Sequence, residues 1–157
     1  MMVVSHVVLG ASAWVAAGSL GLMPKSGAEG AVIAALGALL PDLDHPSSWL
    51  GRRLWVIAKP LSLLVGHRGI THSLLAMAAG VALLTALRPA PGLARLIEPL
   101  ALGYLSHIAA DALTPAGVPL LWPWRQRFGL GLCATGGAVE MLVVAACAAA
   151  TFWLKMN

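Results

Sequence analysis

Charge is what this sequence has least of. Only 10% of its 157 residues are charged, and the acids number six. An ordinary soluble domain carries about 25% charged residues, so a water-facing surface cannot be built from this chain. Its 59% hydrophobic content calls for lipid as the solvent. The ten basic residues fall singly or in pairs and never form a run interleaved with aromatics, which excludes a nucleic-acid groove. The net charge of +4 therefore reflects scarce acids, not a basic binding surface. Cysteine is also sparse: Cys133 and Cys147 have neither metal-ligand spacing nor a disulfide framework, and both read as packing residues. Repeats and low-complexity linkers are missing too, which leaves one integral-membrane helical domain over 1–157.

What is present are long apolar stretches. Residues 3–23, 70–87 and 136–154 each approach the roughly 20 residues that cross a hydrocarbon core. Residues 96–113 form a fourth, with Pro99 in its first turn, where proline is tolerated. Residues 30–43 read as a short span or half-span. Residues 54–65, holding Lys59 and Pro60 and flanked by Trp49 and Trp55, read as an interfacial or re-entrant segment. Residues 3–23 contain the cleavage-like Ala11-Ser12-Ala13, but no basic n-region precedes them and the first Lys is Lys25, so an uncleaved span is expected. The fold class is all-α: a polytopic bundle of about four to five spans with a short interfacial or re-entrant segment. Abundant Ala and Gly, as at Ala76, Ala78, Ala79 and Gly80, favour close helix packing in lipid.

Five crossings place Arg52, Arg53, Lys59, Arg68, Arg125 and Arg127 on one side, against Lys25, Arg88, Arg95 and Lys155 on the other. The six-to-four excess assigns the first side to the cytoplasm. The same side collects the polar residues. His6 opens the first helix, Pro41-Asp42-Leu43-Asp44-His45 closes the second, and His67-Arg68-Gly69-Ile70-Thr71-His72 opens the third. His107 and Asp111 end the fourth, and Glu140 begins the fifth. All five histidines and four of the six acids thus share one face. Ionisable groups at membrane depth are costly, so a convergent set marks a functional site.

Spacing gives the set its chemistry. His107 and Asp111, four residues apart, lie on one helix face. Asp42, Asp44 and His45 put hard oxygens and an imidazole into one short run, and His67 and His72 bracket a glycine turn. Imidazole plus carboxylate without cysteine is the donor mixture of zinc, manganese or iron sites. The expected metal ligands are His6, Asp42, Asp44, His45, His67, His72, His107 and Asp111, enough for one or two divalent ions, zinc first. Such ions lower the pKa of bound water and stabilise developing oxyanions, which points to hydrolysis. Arg68 is the expected phosphate partner, and Glu140 a candidate general base. Plainer readings exist: His6 as an interfacial cap, Glu140 as a partner of a neighbouring helix, Arg68 as a topology anchor.

Several motifs occur in order: Leu39-Leu40-Pro41-Asp42-Leu43-Asp44-His45, Gly66-His67-Arg68-Gly69-Ile70-Thr71-His72-Ser73, Gly103-Tyr104-Leu105-Ser106-His107-Ile108-Ala109-Ala110-Asp111, and Leu113-Thr114-Pro115-Ala116-Gly117-Val118-Pro119-Leu120-Leu121-Trp122-Pro123. In these the chain resembles the membrane-bound metal-dependent hydrolase family, which includes the LexA-regulated members, from about His6 to Trp124. The resemblance implies a bacterial inner-membrane location, a divalent metal and hydrolase activity. It adds nothing for Glu140.

Two rival classes share part of this pattern. The metal-independent lipid phosphatases also end a motif in His-x3-Asp, but Val81 stands where their Lys should be and Pro-Ser-Gly-His is missing. A non-catalytic metal-binding or transport protein would use the same donors, although transporters place theirs near the midplane between repeats. A site at the membrane face, beside the bilayer, suits an amphiphilic or phosphoester substrate.

Overall fold

The structure is a computed structural model that describes residues 1–23, 27–65, 69–87, 90–124 and 126–156. Its elements, in order, are α1 (Val3–Ser19), α2 (Ala28–Gly37), a 3₁₀ turn (Pro41–Asp44), α3 (Trp49–Arg53), α4 (Trp55–Val65), a second 3₁₀ turn (Ile70–His72), α5 (Leu74–Ala86), α6 (Pro91–Ala94), α7 (Ile97–Ala112) and α8 (Ala138–Met156). Among the described residues no strand forms; Val118 and Phe128 share one isolated bridge.

The all-helical expectation holds, and the helices are shorter than the apolar stretches that generate them. Residues 70–87 do not run as one helix. Ser73 leaves the helical path at φ −112°, ψ 153° and accepts a hydrogen bond from the Ala76 N–H, so α5 starts only at Leu74. Residues 30–43 divide likewise, because Pro41 begins a separate 3₁₀ turn after α2. Ser48 caps the short α3 by accepting from the Gly51 N–H at 2.9 Å. Among the described residues one helix, α8 with 19 residues, is long and apolar enough to cross a membrane by length and composition. The 17 residues of α1, 16 of α7 and 13 of α5 fall short of about 20.

The bundle is built on α1, which packs against α2, α7 and α8, while α2 also packs against α7. Glycine sets the separation. A Cβ on Gly103 would fall 1.9 Å from the Ala34 carbonyl oxygen, and one on Gly37 would fall 2.4 Å from that of Leu100. Gly10 of α1 closes the third side, against Ala34 and Ala38. Ala34, Ala38 and Ile108 are consequently buried. Apolar burial is otherwise thin: the fully buried set contains His6, Asp44, His72, His107, Asp111 and Glu140, while Leu63, Leu64, Leu83, Leu142 and Phe152 lie exposed. That distribution suits a protein whose outer solvent is hydrocarbon.

Gly103→Val is expected to destabilise the bundle by at least about 1–3 kcal/mol, since backbone is what the added carbons strike. Gly80, in mid-α5 with open space around its Cα, is expected to accept Ala without loss. Thermal unfolding of the two variants in detergent checks the pair.

Candidate metal centre

Three structural pieces bring the polar residues together. The Gly103 contact holds α7 so close to the end of α2 that His107, one turn on, places its Nδ1 2.7 Å from the Ala38 carbonyl oxygen. A carbonyl only accepts, so Nδ1 carries the proton and donates, leaving the Nε2 lone pair bare. Asp111, a further turn along the same face, lies beside it, with Oδ2 3.7 Å from His107 Nε2. From α1, His6 stacks on His107 with ring centroids 3.7 Å apart and an interplanar angle of 13°. Its Nε2 stands 3.4 Å from Asp111 Oδ1. That oxygen also meets the Met1 nitrogen at 2.5 Å, so Oδ2 is the oxygen that faces inward.

The two 3₁₀ turns close the other side. His72 Nε2 is 3.7 Å from Asp42 Oδ1 and 4.0 Å from Asp111 Oδ2, and His107 Nε2 is 3.9 Å from the same Asp42 oxygen. Behind His72, its Nδ1 lies 3.7 Å from Asp44 Oδ2 and 3.2 Å from Thr71 Oγ1. Thr71 donates to Asp44, and Tyr104 of α7 donates to the Thr71 carbonyl, which pins the turn to the bundle.

These separations are informative. Direct hydrogen bonds run from about 2.7 to 3.2 Å. Two donors bound to one zinc ion at about 2.0–2.1 Å stand roughly 3.4 Å apart in tetrahedral geometry. The spacings of 3.7–4.0 Å among His72 Nε2, His107 Nε2, Asp42 Oδ1 and Asp111 Oδ2 fit donors facing one another across an ion. The Nε2 atoms of His72 and His107 are buried and have no hydrogen-bond partner, a costly condition for polar atoms that a cation would relieve. Two overlapping triads emerge, His6–His107–Asp111 and Asp42–His72–His107, with ligand atoms within 4.8 Å of one another. With Nδ1 committed to Ala38, His107 has one nitrogen to give, so the triads share a single centre.

Electrostatics agree with the geometry. Burial opposes charge on Asp42, yet the imidazoles of His72, His107 and His6 hold its carboxyl down to about 2. Burial also disfavours a proton on His72, but Asp42 and Asp44 outweigh it and raise the ring above the usual imidazole value. A field that draws a proton to His72 draws a divalent cation to the same gap.

Of the eight residues expected as ligands, five converge: His6, Asp42, His72, His107 and Asp111. Asp44 stands one step back, against His72 and Thr71. His45 falls outside both triads, because it leaves the 3₁₀ turn with extended backbone (φ −108°, ψ 102°) and its ring meets Ser47 at 3.1 Å. His67 and Arg68 lie outside the described residues. Glu140 is buried but spoken for: one oxygen accepts from the Met2 N–H at 2.7 Å and from the Ser5 hydroxyl, the other from the Gly136 N–H at 2.8 Å. It fastens α8 to α1 and is not among the triad residues. Sequence reasoning missed Tyr104, Thr71 and the Ala38 carbonyl. Tyr104 and Thr71 are visible as polar residues beside the motif histidines, whereas a backbone acceptor leaves no mark in a sequence.

His107→Ala and Asp111→Ala are expected to leave less than a tenth of the parent's bound metal by mass spectrometry. Asp44→Ala should weaken affinity about 10–100-fold, as loss of an outer partner does, and His45→Ala should leave metal content unchanged. Glu140→Ala should keep the metal but cost about 1–3 kcal/mol in thermal stability, because it strands buried donors.

Comparisons with known proteins place the chain among membrane proteins. A family model described as YdjM inner membrane protein matches residues 1–156. The inner membrane proteins YdjM of Escherichia coli K12 and of Shigella flexneri are each 47% identical to it over 125 residues, covering 77% of this chain and 64% of theirs. The uncharacterized protein YvsG of Bacillus subtilis 168 is 37% identical over 116 residues, covering 73% of this chain and 71% of its own. The chain thus spans about 64% of the length of the two YdjM relatives. No solved structure matches. These descriptions agree with the inner-membrane expectation and name neither a metal nor a reaction.

Proposed function

The chain belongs to the YdjM inner membrane protein family, and we propose that in the bacterial inner membrane it is a metal-dependent hydrolase acting on a phosphoester-bearing amphiphile. One observation carries the reading: the bare, buried Nε2 atoms of His72 and His107 face carboxylate oxygens of Asp42 and Asp111 across 3.7–4.0 Å. The donor set suits one divalent ion, zinc before manganese or iron. We read the chain as crossing the bilayer four or five times with the centre at the cytoplasmic face. The exposed leucines and aromatics of α4, α5 and α8 support lipid contact, and the basic excess supports the orientation.

When bound, a divalent ion supplies activation of water near neutral pH and stabilises negative charge on phosphoryl or acyl oxygens. The protein does the rest by position. Ala38 and Asp44 align His107 and His72, and the stacked His6 holds the opposite flank. Asp111 and the imidazoles are sealed at 0–1% exposure, whereas Asp42 keeps 20% of its side chain accessible. Substrate and water therefore approach past Asp42. Arg68, next to the motif histidine His67, is the phosphate partner in this reading. Glu140 has no catalytic part, its oxygens being engaged in holding α8.

The near-complete burial of four of the five donors favours a second reading, a structural ion that ties helix ends together. Hydrolysis of bis-p-nitrophenyl phosphate and of phosphatidic acid in vesicles by the zinc-loaded protein separates the two. The enzyme reading expects turnover that Asp42→Asn lowers at least tenfold with the fold intact. Turnover no higher than that of the metal-stripped protein, with a metal-dependent melting temperature, would leave the structural reading.

A further inference from the structure

Since α7 and α8 both lie against α1, they leave a groove of about 560 Å³ between them. Leu9 and Ala13 of α1 form its floor, with Leu105 and Ala109 of α7 and Val143 and Cys147 of α8 as walls. Two of its hydroxyls are spent within their own helices: Ser106 donates to the Gly103 carbonyl and Thr151 to that of Cys147, each at 2.7 Å. Its lining is otherwise almost wholly apolar. On α7 the groove runs from Leu102 to Leu113, about 16 Å at the helical rise. That is the reach of one leaflet, half of a hydrocarbon core about 30 Å thick.

The groove ends where the centre begins. Leu9 lies one turn after His6, and Ala110 precedes Asp111 in α7. Leu9, Leu113 and Val143 pack there against buried Ala110 and Cys133. A lining this apolar is one that a hydrocarbon chain covers without stranding a hydrogen-bonding group. A single flexible chain of one leaflet's reach matches both its length and its lining.

We propose that this groove holds one alkyl chain of the amphiphile, with the polar end directed to the membrane face that carries the metal centre. The assignment rests on the hydrolase reading for the identity of the amphiphile as substrate, and on the groove alone for the chain.

The test uses full-length, metal-loaded protein in nanodiscs and dodecyl phosphate bearing a mid-chain diazirine. Photolysis should label peptides covering residues 102–113 and 143–154, in competition with dodecyl phosphate but not butyl phosphate. Ala109→Trp should cut that labelling at least fivefold, and Leu142→Trp, on the exposed face of α8, should leave it unchanged. Metal content and melting temperature report whether Ala109→Trp folds; if it does not, Ala150→Leu takes its place. His107→Ala, lacking the ion, should label as the parent does. Groove labelling without any hydrolysis would sink the hydrolase reading and leave the groove standing. Label spread evenly over α4, α5 and α8, or indifferent to Ala109→Trp, overturns the groove whatever the metal does. So does oxidative cross-linking of copies through Cys147 in the membrane, which would put a second protomer there.

Discussion

Everything at the candidate centre depends on how closely α7 can approach α2. With no side chain at Gly103 or Gly37, the backbones of the two helices touch. That contact, and not any bond to a ligand, carries the Ala38 carbonyl to His107 Nδ1. In lipid, where no hydrophobic force drives helices together, close packing through small residues is the main means of association. The same contact therefore assembles the bundle and selects the tautomer of its central imidazole. Stability and site geometry are one quantity here, viewed from two ends of four residues.

A second consequence concerns the helix ends. A continuous helix would carry Asp42 and His72 along its axis, away from the bundle centre. Breaking α2 before Pro41 and delaying α5 to Leu74 frees two 3₁₀ turns to fold over the end of the bundle. Shortened helices are thus the geometric counterpart of a roofed site. The capping hydroxyl of Ser73, the Thr71–Asp44 bond and the Tyr104–Thr71 bond hold the roof in place.

Much of this is legible in the sequence, and the remainder fails for definable reasons. The apolar stretches locate α1, α7 and α8 to within a few residues, and the four-residue spacing of His107 and Asp111 is a direct reading of helical geometry. The choice between Asp42 and Asp44 is not legible. In a 3₁₀ turn, residues two apart point about 120° away from each other, so one carboxylate faces the gap and the other stands behind His72. Which does which depends on the packing of that turn on α7. His45 misleads because it continues the motif in sequence while the backbone has already turned extended. Glu140 misleads differently: convergence at one face is real, but its donors, two from the start of α1 and one from just before α8, saturate it.

Charge balance gives the strongest reason to expect a cation. Three carboxylates, Asp42, Asp44 and Asp111, cluster with His6, His72 and His107, and nearly all of this sits out of contact with solvent. Neutral imidazoles leave that negative charge facing a low-dielectric surround, where uncompensated ions cost several kcal/mol each. Protonating the rings would compensate it, but His107 and His6 are stacked at 3.7 Å, and two like charges at that distance repel. The Met1 ammonium already meets Asp111 Oδ1 at 2.5 Å, and a single divalent ion between Nε2 of His72 and of His107 offsets the two remaining negative charges without charging either ring. It also gives both bare lone pairs a partner. The packing that leaves those nitrogens without a hydrogen-bond partner is the packing that would admit such an ion.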